Sequence, residues 1–322
     1  MLDEVVAALG ERVGSRPSAR SARIVAVRVV VAGSSGLIGT ALVAHLRAAG
    51  HEVLRLVRRA PAAPDERGWD PAAGTVDPGT FDGVDAVVNL NGVGIADRPW
   101  SGARRQALRD SRIVPTEVLA KAVAEHGVPT LLSGSAVGFY GDAGGVTVDE
   151  SAPPGTGFLA GLTREWEAAA QPARDAGARV VTLRTGLVLS PSGGLLGPLK
   201  LVYRFALGGK IGSGTQYMPW ISLDDEVGAM GFLLENGEVD GPVNLTGPLP
   251  VTNAEFTAAL AHALHRPAVL PVPAFAIRAL GAQGEELLLY GQRAVPAKLE
   301  AAGYRFRHTT VEDALAAALG SS

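Results

Sequence analysis

Three glycines, Gly33, Gly36 and Gly39, stand at three-residue spacing where an apolar run ends and helical periodicity begins. Glycines so placed do a specific job. One permits a tight turn, the next lets backbone approach a bound pyrophosphate, and the third lets helix pack on strand. The free amides at the helix start, around Leu37, Ile38 and Gly39, would then meet the anion with no side chain in the way. Ser34 and Ser35 lie in the same turn and can add hydroxyl donors. Glycine is common in this chain, 41 of 322 residues, so the triplet means little by itself. Its place between a strand and a helix is what points to a dinucleotide.

The element after that helix bears on which dinucleotide. A site for NAD carries an Asp or Glu at the tip of the second strand to bind the ribose hydroxyls. Here the strand Glu52 to Val57 runs into Arg58-Arg59 and has no acid at its tip. A guanidinium fork suits a 2′-phosphate, which an acid would repel. The cofactor expected is therefore NADP(H), held by Arg58 and possible help from Arg59; two merely solvated arginines would look the same.

Those residues need a scaffold, and the periodicity supplies one. Val27 to Ala32 has the unbroken apolar character of a parallel strand covered on both faces. Leu37, Ile38, Ala41, Leu42, Leu46 and Ala49 repeat at helical spacing, and Gly50 ends the helix. Strands follow at Glu52 to Val57, Ala86 to Leu90, Thr130 to Ser135 and Arg179 to Leu189. Helices are expected at Ala103 to His126, with a break at Pro115, and at Phe158 to Ala176. Alternation of this kind predicts an α/β fold, a Rossmann-type doubly wound parallel sheet. Thr252-x-x-Glu255 has capping-box spacing and opens a helix to about Leu264, in a smaller C-terminal lobe. The expected division is an appendage at 1–26 and a dinucleotide-binding domain at 27–247. Its loop region 190–218 contributes to the substrate lobe, and a small domain follows at 248–322.

Composition narrows the functional classes. Lys and Arg (29) nearly balance Asp and Glu (32), so no basic face for nucleic acid is expected. With no cysteine, thiolate catalysis and disulfides are excluded. His262 and His265 have no third ligand spaced beside them, so no metal site is expected. No apolar run reaches the roughly 18 residues of a membrane span, and the opening MLDE lacks the hydrophobic stretch of a signal peptide. A cytoplasmic protein acting on a small molecule is the expectation.

The ordered segments AGSSGLIG, Trp69-Asp70-Pro71, Asp85 to Leu90 and Ser111-Arg112 resemble the atypical extended short-chain dehydrogenases/reductases of the epimerase-family type. So do Ser133 to Gly141, Gly157 to Ala160, Trp166-Glu167, Arg184 to Val188, Gly208 to Ile221 with Asp224-Asp225, and Gly291 to Phe306. The resemblance runs from Val27 to the C-terminus and includes that family's small C-terminal domain. It implies NADP(H) held by the glycine turn, Arg58, the strand end Leu90-Asn91-Gly92, Arg112 on the next helix, and backbone near Val188 at the nicotinamide amide. One departure is Asn91, where the family has Ala; its side chain could crowd the adenosine ribose or add a hydrogen bond.

The usual chemistry of such enzymes needs a Tyr whose proton transfer is tuned by a Lys four residues on. The four lysines here, Lys121, Lys200, Lys210 and Lys298, are preceded at that distance by Glu117, Leu196, Ala206 and Ala294. No Tyr-x-x-x-Lys exists, and Phe158 to Leu162 stands where the family carries the pair. The remaining candidates are Ser135, which could bind a carbonyl, and Tyr140, which could donate a proton. Asp97, Arg98, Trp100, Gln216, Tyr217 and Trp220 are possible substrate contacts. Two functions stay open: an oxidoreductase or epimerase-like enzyme acting on a small or sugar-linked carbonyl, and a non-catalytic NADP(H)-binding regulator or scaffold. An NAD-using sugar-nucleotide epimerase is a weaker third, against which Arg58-Arg59 and Phe158 count.

Overall fold

The computed structural model describes residues 26–191 and 193–320. The short helix expected near Val5 to Leu9 and the linker Arg12 to Arg23 lie outside the described residues.

One eight-stranded sheet organises the molecule. Its strands are β1 (Arg28–Ala32), β2 (Glu52–Val57), β3 (Glu66–Asp70), β4 (Thr75–Val76), β5 (Ala86–Asn89), β6 (Thr130–Ala136), β7 (Arg179–Thr185) and β8 (Gly241–Leu245). They stand in the order β8-β7-β6-β5-β1-β2-β3-β4. Every neighbouring pair is parallel except β3 with β4. From β1 the chain builds outward through β2 to β4, then returns to the other side of β1 with β5. A crevice must open where the order reverses, at the carboxyl ends of β1 and β5.

Helices α1 (Leu37–Ala48), α2 (Gly102–His126), α3 (Phe158–Ala168), α4 (Gln171–Asp175), α5 (Leu196–Arg204), α6 (Leu223–Glu235) and α7 (Asn253–Leu264) follow in turn. Leu42, Leu46, Met230 and Leu233 of α1 and α6 close one face of the sheet, and Leu119, Ala120 and Val123 of α2 close the other. Val29 to Ala32 are consequently buried on both sides, as their unbroken apolar run predicts. A third core joins α7, the terminal helix Val311–Gly320 and Trp220. Thr252 and Glu255 form the expected capping box, and α7 ends with His265 in the left-handed conformation. Strand Val251–Thr252 pairs with Tyr217–Met218, and Arg293–Ala294 with Thr147–Val148, so the C-terminal chain is sewn into the earlier part. No helix among the described residues is long and apolar enough to cross a membrane.

Three expectations are corrected. Helix α2 runs through Pro115 unbroken for 25 residues. Pro115 costs one intrahelical hydrogen bond, but Leu108, Thr116, Leu119 and Val123 on either side of it are buried and hold both halves in line. The helix expected over Phe158 to Ala176 is two, α3 and α4, and Pro172 starts the second. The strand expected over Arg179 to Leu189 divides at Gly186. There β7 leaves the main sheet and Leu187–Ser190 joins a small sheet beside Trp220–Ser222. A Cβ on Gly186 would stand 2.1 Å from the Pro219 carbonyl oxygen, so only glycine permits that crossing. Strands β3 and β4, at the sheet edge, were not expected; ERGWD is too charged to show an apolar period.

Candidate functional site

The crevice is a cleft of about 540 Å³ at the carboxyl ends of β1, β5, β6 and β7. Gly33, Gly36, Leu37, Ile38 and Gly39 form its floor. Gly33 turns the chain with φ +82°, and a Cβ there would lie 2.6 Å from the Leu90 carbonyl oxygen. A Cβ on Gly39 would lie 2.2 Å from the Gly33 carbonyl oxygen, so this glycine packs helix on turn. Gly36 differs: its Cβ would meet only that same oxygen, at 3.4 Å, and otherwise open cleft. It caps α1, whose first amides have no carbonyl behind them in the helix. The turn and the helix packing thus fall to Gly33 and Gly39, while Gly36 leaves its side of the cleft open. Ser34 is buried and Ser35 exposed, both outside the cleft lining.

Two arginines, Arg58 and Arg112, have no carboxylate partner among the described residues. The register Ala32 to Leu56 sets the end of β2 alongside the glycine turn, and Arg58 follows there, exposed. Its neighbour Arg59 is occupied, donating to both carboxylate oxygens of Glu66 at 2.6 and 2.8 Å. Arg112 lines the cleft from α2. Its guanidinium donates to the carbonyls of Val93 and Leu108 at 3.0 and 3.2 Å and lies 5.3 Å over the Trp166 ring. Burial, with Arg104 nearby, pushes it down to about 10, so it remains a cation at neutral pH. A half-buried cation whose partners are carbonyls, the Ser111 hydroxyl and a ring, with no carboxylate, leaves attraction for an anion unspent. Asn91 neither enters the cleft nor crowds it: its amide turns back onto Asn89 Oδ1 at 2.7 Å. Leu90, Gly92 and Val188 line the cleft as expected.

The hydroxyl candidates separate. Ser135, at the end of β6, lines the cleft and is nearly buried. It donates to Glu167 Oε1 at 2.6 Å, and Glu167 takes both Nε and Nη2 of Arg184, at 2.8 and 3.0 Å. Tyr140 does not reach the cleft. It is buried among Val137, Phe139, Val148 and Ala294. Its hydroxyl donates to Asn244 Oδ1 at 2.7 Å and accepts from Arg184 Nη1 at 3.0 Å. Burial pushes its phenol up. The assignment of Tyr140 as a donor to a substrate is therefore corrected: burial and two internal hydrogen bonds tie it to the fold.

Of the other residues singled out, Gln216 and Tyr217 line the cleft. Trp100 lies outside it, its indole donating to the Ile95 carbonyl; Trp220 is core, and Asp97 faces Arg104 at 3.8 Å. The cleft face of α3 carries Leu159, Leu162 and Thr163. Phe158 turns away onto Trp100, ring centroids 4.9 Å apart, with Arg105 and Arg109 over its faces.

Among the cleft residues that the sequence does not disclose are Glu286 and Tyr290. Glu286 accepts from the amides of Phe158 and Leu159 at 2.9 and 2.8 Å, so a carboxylate from the C-terminal part caps α3. Tyr290 lines the cleft, its hydroxyl has no hydrogen-bond partner among the described residues, and burial, with Glu286, Glu285 and Asp142 nearby, pushes its phenol up. The segment Gly291 to Phe306, which carries the family resemblance, begins one residue after Tyr290 and five after Glu286.

Residues 29–246 match the model of the NAD dependent epimerase/dehydratase family, and 272–318 match a domain of unknown function, DUF1731. The chain belongs to the NAD dependent epimerase/dehydratase family. It is 57% identical over 288 residues to the epimerase family protein Mb2239 of Mycobacterium bovis, covering 89% of this chain and 96% of that protein. Human epimerase family protein SDR39U1, crystallised with NADPH, superposes with a TM-score of 0.84 at 34% identity, over 92% of this chain and all of that one. A nucleoside-diphosphate sugar epimerase from Corynebacterium glutamicum gives 0.77 at 37% identity, over 92% of this chain and 59% of that one. The fold is that of the extended short-chain dehydrogenases/reductases. The face that α3 turns to the cleft carries Leu159 and Thr163 at four-residue spacing, and the helix contains no phenol or ammonium.

Proposed function

We propose that this protein is an NADPH-dependent reductase of carbonyl compounds. The observation that carries the reading is one continuous cleft with two kinds of end. At one end are the glycine turn and Arg112, a cation without a carboxylate, with the exposed Arg58 following the neighbouring strand; at the other is Tyr290, whose hydroxyl has no partner among the described residues. The solved relative with NADPH supports the choice of nucleotide.

NADPH, when bound, supplies the hydride that reduces a carbonyl carbon. The chain's residues do the rest. Amides at the start of α1 and Arg112 hold the pyrophosphate, and Arg58 pairs with the 2′-phosphate. As the carbon is reduced, the carbonyl π pair moves onto oxygen, and Tyr290 gives that oxygen its proton. The tyrosinate left behind is reprotonated from solvent. A phenol without a lysine stays protonated at neutral pH, which suits an acid and makes a poor base. Reduction is therefore favoured over alcohol oxidation.

The second reading is a non-catalytic NADP(H)-binding protein. It is favoured by the absence of a Tyr-x-x-x-Lys and by the commitment of the Ser135 proton to Glu167. NADPH oxidation followed over a panel of ketones and aldehydes, beside calorimetry of NADPH and NADH, separates the two. Turnover establishes the reductase; tight NADPH binding with no turnover of any carbonyl establishes the binder.

A further inference from the structure

The cleft beyond the cofactor's bed has a composition that selects substrates. Arg112 and Glu286 are the two charged residues among those lining the cleft, and they lie at different places. Arg112 belongs to the cofactor half. Its Nη2 donates to the Val93 carbonyl, and its Cζ would lie 3.1 Å from a Cβ on Gly92, next to the Leu90 carbonyl that abuts Gly33. The opposite wall is made by Leu159, Leu162, Tyr217, Met218, Leu287 and Leu288.

Apart from the Tyr217 hydroxyl, the polar side chains on that side are spent internally. Gln216 gives its amide protons to the carbonyls of Ile211 and Leu288, both at 3.0 Å. Asn253 accepts from the Ile211 amide at 2.8 Å, and Thr163 donates to the Leu159 carbonyl at 2.7 Å. The free amides of α3, where an anion could have been received, are filled by Glu286. A helix start that would attract a phosphate instead presents a carboxylate.

Resting on the reductase reading above, we infer that the substrate is an uncharged carbonyl compound with an apolar body, and that Glu286 excludes anionic substrates such as nucleotide sugars. A sugar diphosphate in this half of the cleft would bury at least two negative charges beside Glu286 with no cation opposite, a costly placement. An apolar body would instead cover Leu159, Met218 and Leu287, leaving only its carbonyl oxygen in need of a donor. The Tyr290 hydroxyl is that donor.

The test measures binding without turnover. NADPH-loaded protein is titrated by calorimetry with benzylacetone, an uncharged aryl ketone, and with UDP-glucose. Benzylacetone is expected to bind saturably, and UDP-glucose at least about tenfold more weakly. Equal or tighter binding of UDP-glucose overturns the inference, as does a failure of benzylacetone to bind. The Glu286→Ala protein, with its melting temperature checked, is expected to gain UDP-glucose binding relative to benzylacetone; an unchanged ratio in folded protein removes Glu286 from the account. Ketone binding without turnover would leave the substrate class standing and remove only the reductase chemistry.

Discussion

Ser135 Oγ lies 2.6 Å from Glu167 Oε1 and donates to it, while that same oxygen accepts from Arg184 Nε at 2.8 Å. The pair carries a polar chain from the cleft into the interior, through Arg184 to Tyr140 and Asn244. The links are unequal. Removing the serine hydroxyl leaves Glu167 still held by the two nitrogens of Arg184. Neutralising Glu167 leaves a guanidinium that is 3% exposed without its counter-charge. Ser135→Ala should therefore cost about 1 kcal/mol of stability and Glu167→Gln about 3 to 5 kcal/mol. Urea unfolding checks this, and equal losses in the two variants would contradict it.

Arg58 and Arg59 are adjacent in sequence and different in circumstance. Arg59 is clamped on Glu66, whereas Arg58 stands exposed beside the glycine turn with no carboxylate among the described residues. Arg58→Ala should lower NADPH affinity by about 1.5 to 3 kcal/mol, the worth of a hydrogen bond to a charged group, with NADH affinity unchanged. Arg59→Ala should leave the ratio of the two affinities where it was. Calorimetry with both nucleotides decides; a ratio that follows Arg59 instead of Arg58 reverses the assignment.

Gly36 and Gly39 make a matched pair for the phosphate bed. A side chain at Gly36 grows into open cleft, and one at Gly39 grows into the Gly33 carbonyl 2.2 Å away. Gly36→Val should keep the unliganded melting temperature close to wild type and abolish its rise with NADPH. Gly39→Ala should lower the unliganded melting temperature itself. A Gly36→Val protein still stabilised by NADPH would put the phosphates elsewhere.

These contrasts show what the sequence could disclose. The glycine turn was legible because its parts are consecutive: strand, turn and helix within a dozen residues carry both the fold and the chemistry. The parallel sheet was legible from its apolar runs for the same reason. Glu286 was not, because its role is to cap a helix that begins 128 residues earlier, at Phe158. Tyr140 misled by position. It follows the strand carrying Ser135, but a tight turn over Val137–Tyr140 sends its ring into the core. Pro115 misled by propensity: local cost predicted a break that burial along α2 overrides.

Glu226 gives the protein a distinctive pH response. It is fully buried at the start of α6, with one oxygen accepting from Thr185 Oγ1 at 2.8 Å and the other unpaired among the described residues. Burial pushes its carboxyl up to about 8. The unfolded chain releases this proton near pH 4.3 or so, about the free glutamate value. Between those pH values the folded state holds a proton that the unfolded state has lost. The contribution of Glu226 is thus full below the unfolded value, falls as pH rises towards about 8, and levels off above. The slope is at most about 1.4 kcal/mol per pH unit. Glu226→Gln keeps an acceptor for Thr185 and has nothing to ionise. Its melting temperature should gain on wild type as pH rises through this window; a constant difference would show that Glu226 does not hold the proton.

Tyr140 and Tyr290 divide the two tasks a tyrosine could perform here. Tyr140 is 3% exposed and bonded to Asn244 and Arg184, while Tyr290 lines the cleft with its hydroxyl uncommitted among the described residues. Deleting the Tyr140 hydroxyl leaves Asn244 Oδ1 without this donor in a buried place, which costs about 1 to 3 kcal/mol. Tyr140→Phe should therefore melt earlier and turn over carbonyls at the wild-type rate. Tyr290→Phe should do the reverse. Loss of a general acid lowers rates by about 10² to 10⁴, whereas stability and NADPH affinity should hardly move. Single-turnover NADPH oxidation with a ketone that the wild type reduces, followed beside thermal melting of both variants, reads all four outcomes together. A Tyr290→Phe protein reducing its ketone at full rate would leave a bound water as the proton source, and a slow Tyr140→Phe protein of normal stability would return the chemistry to the buried tyrosine.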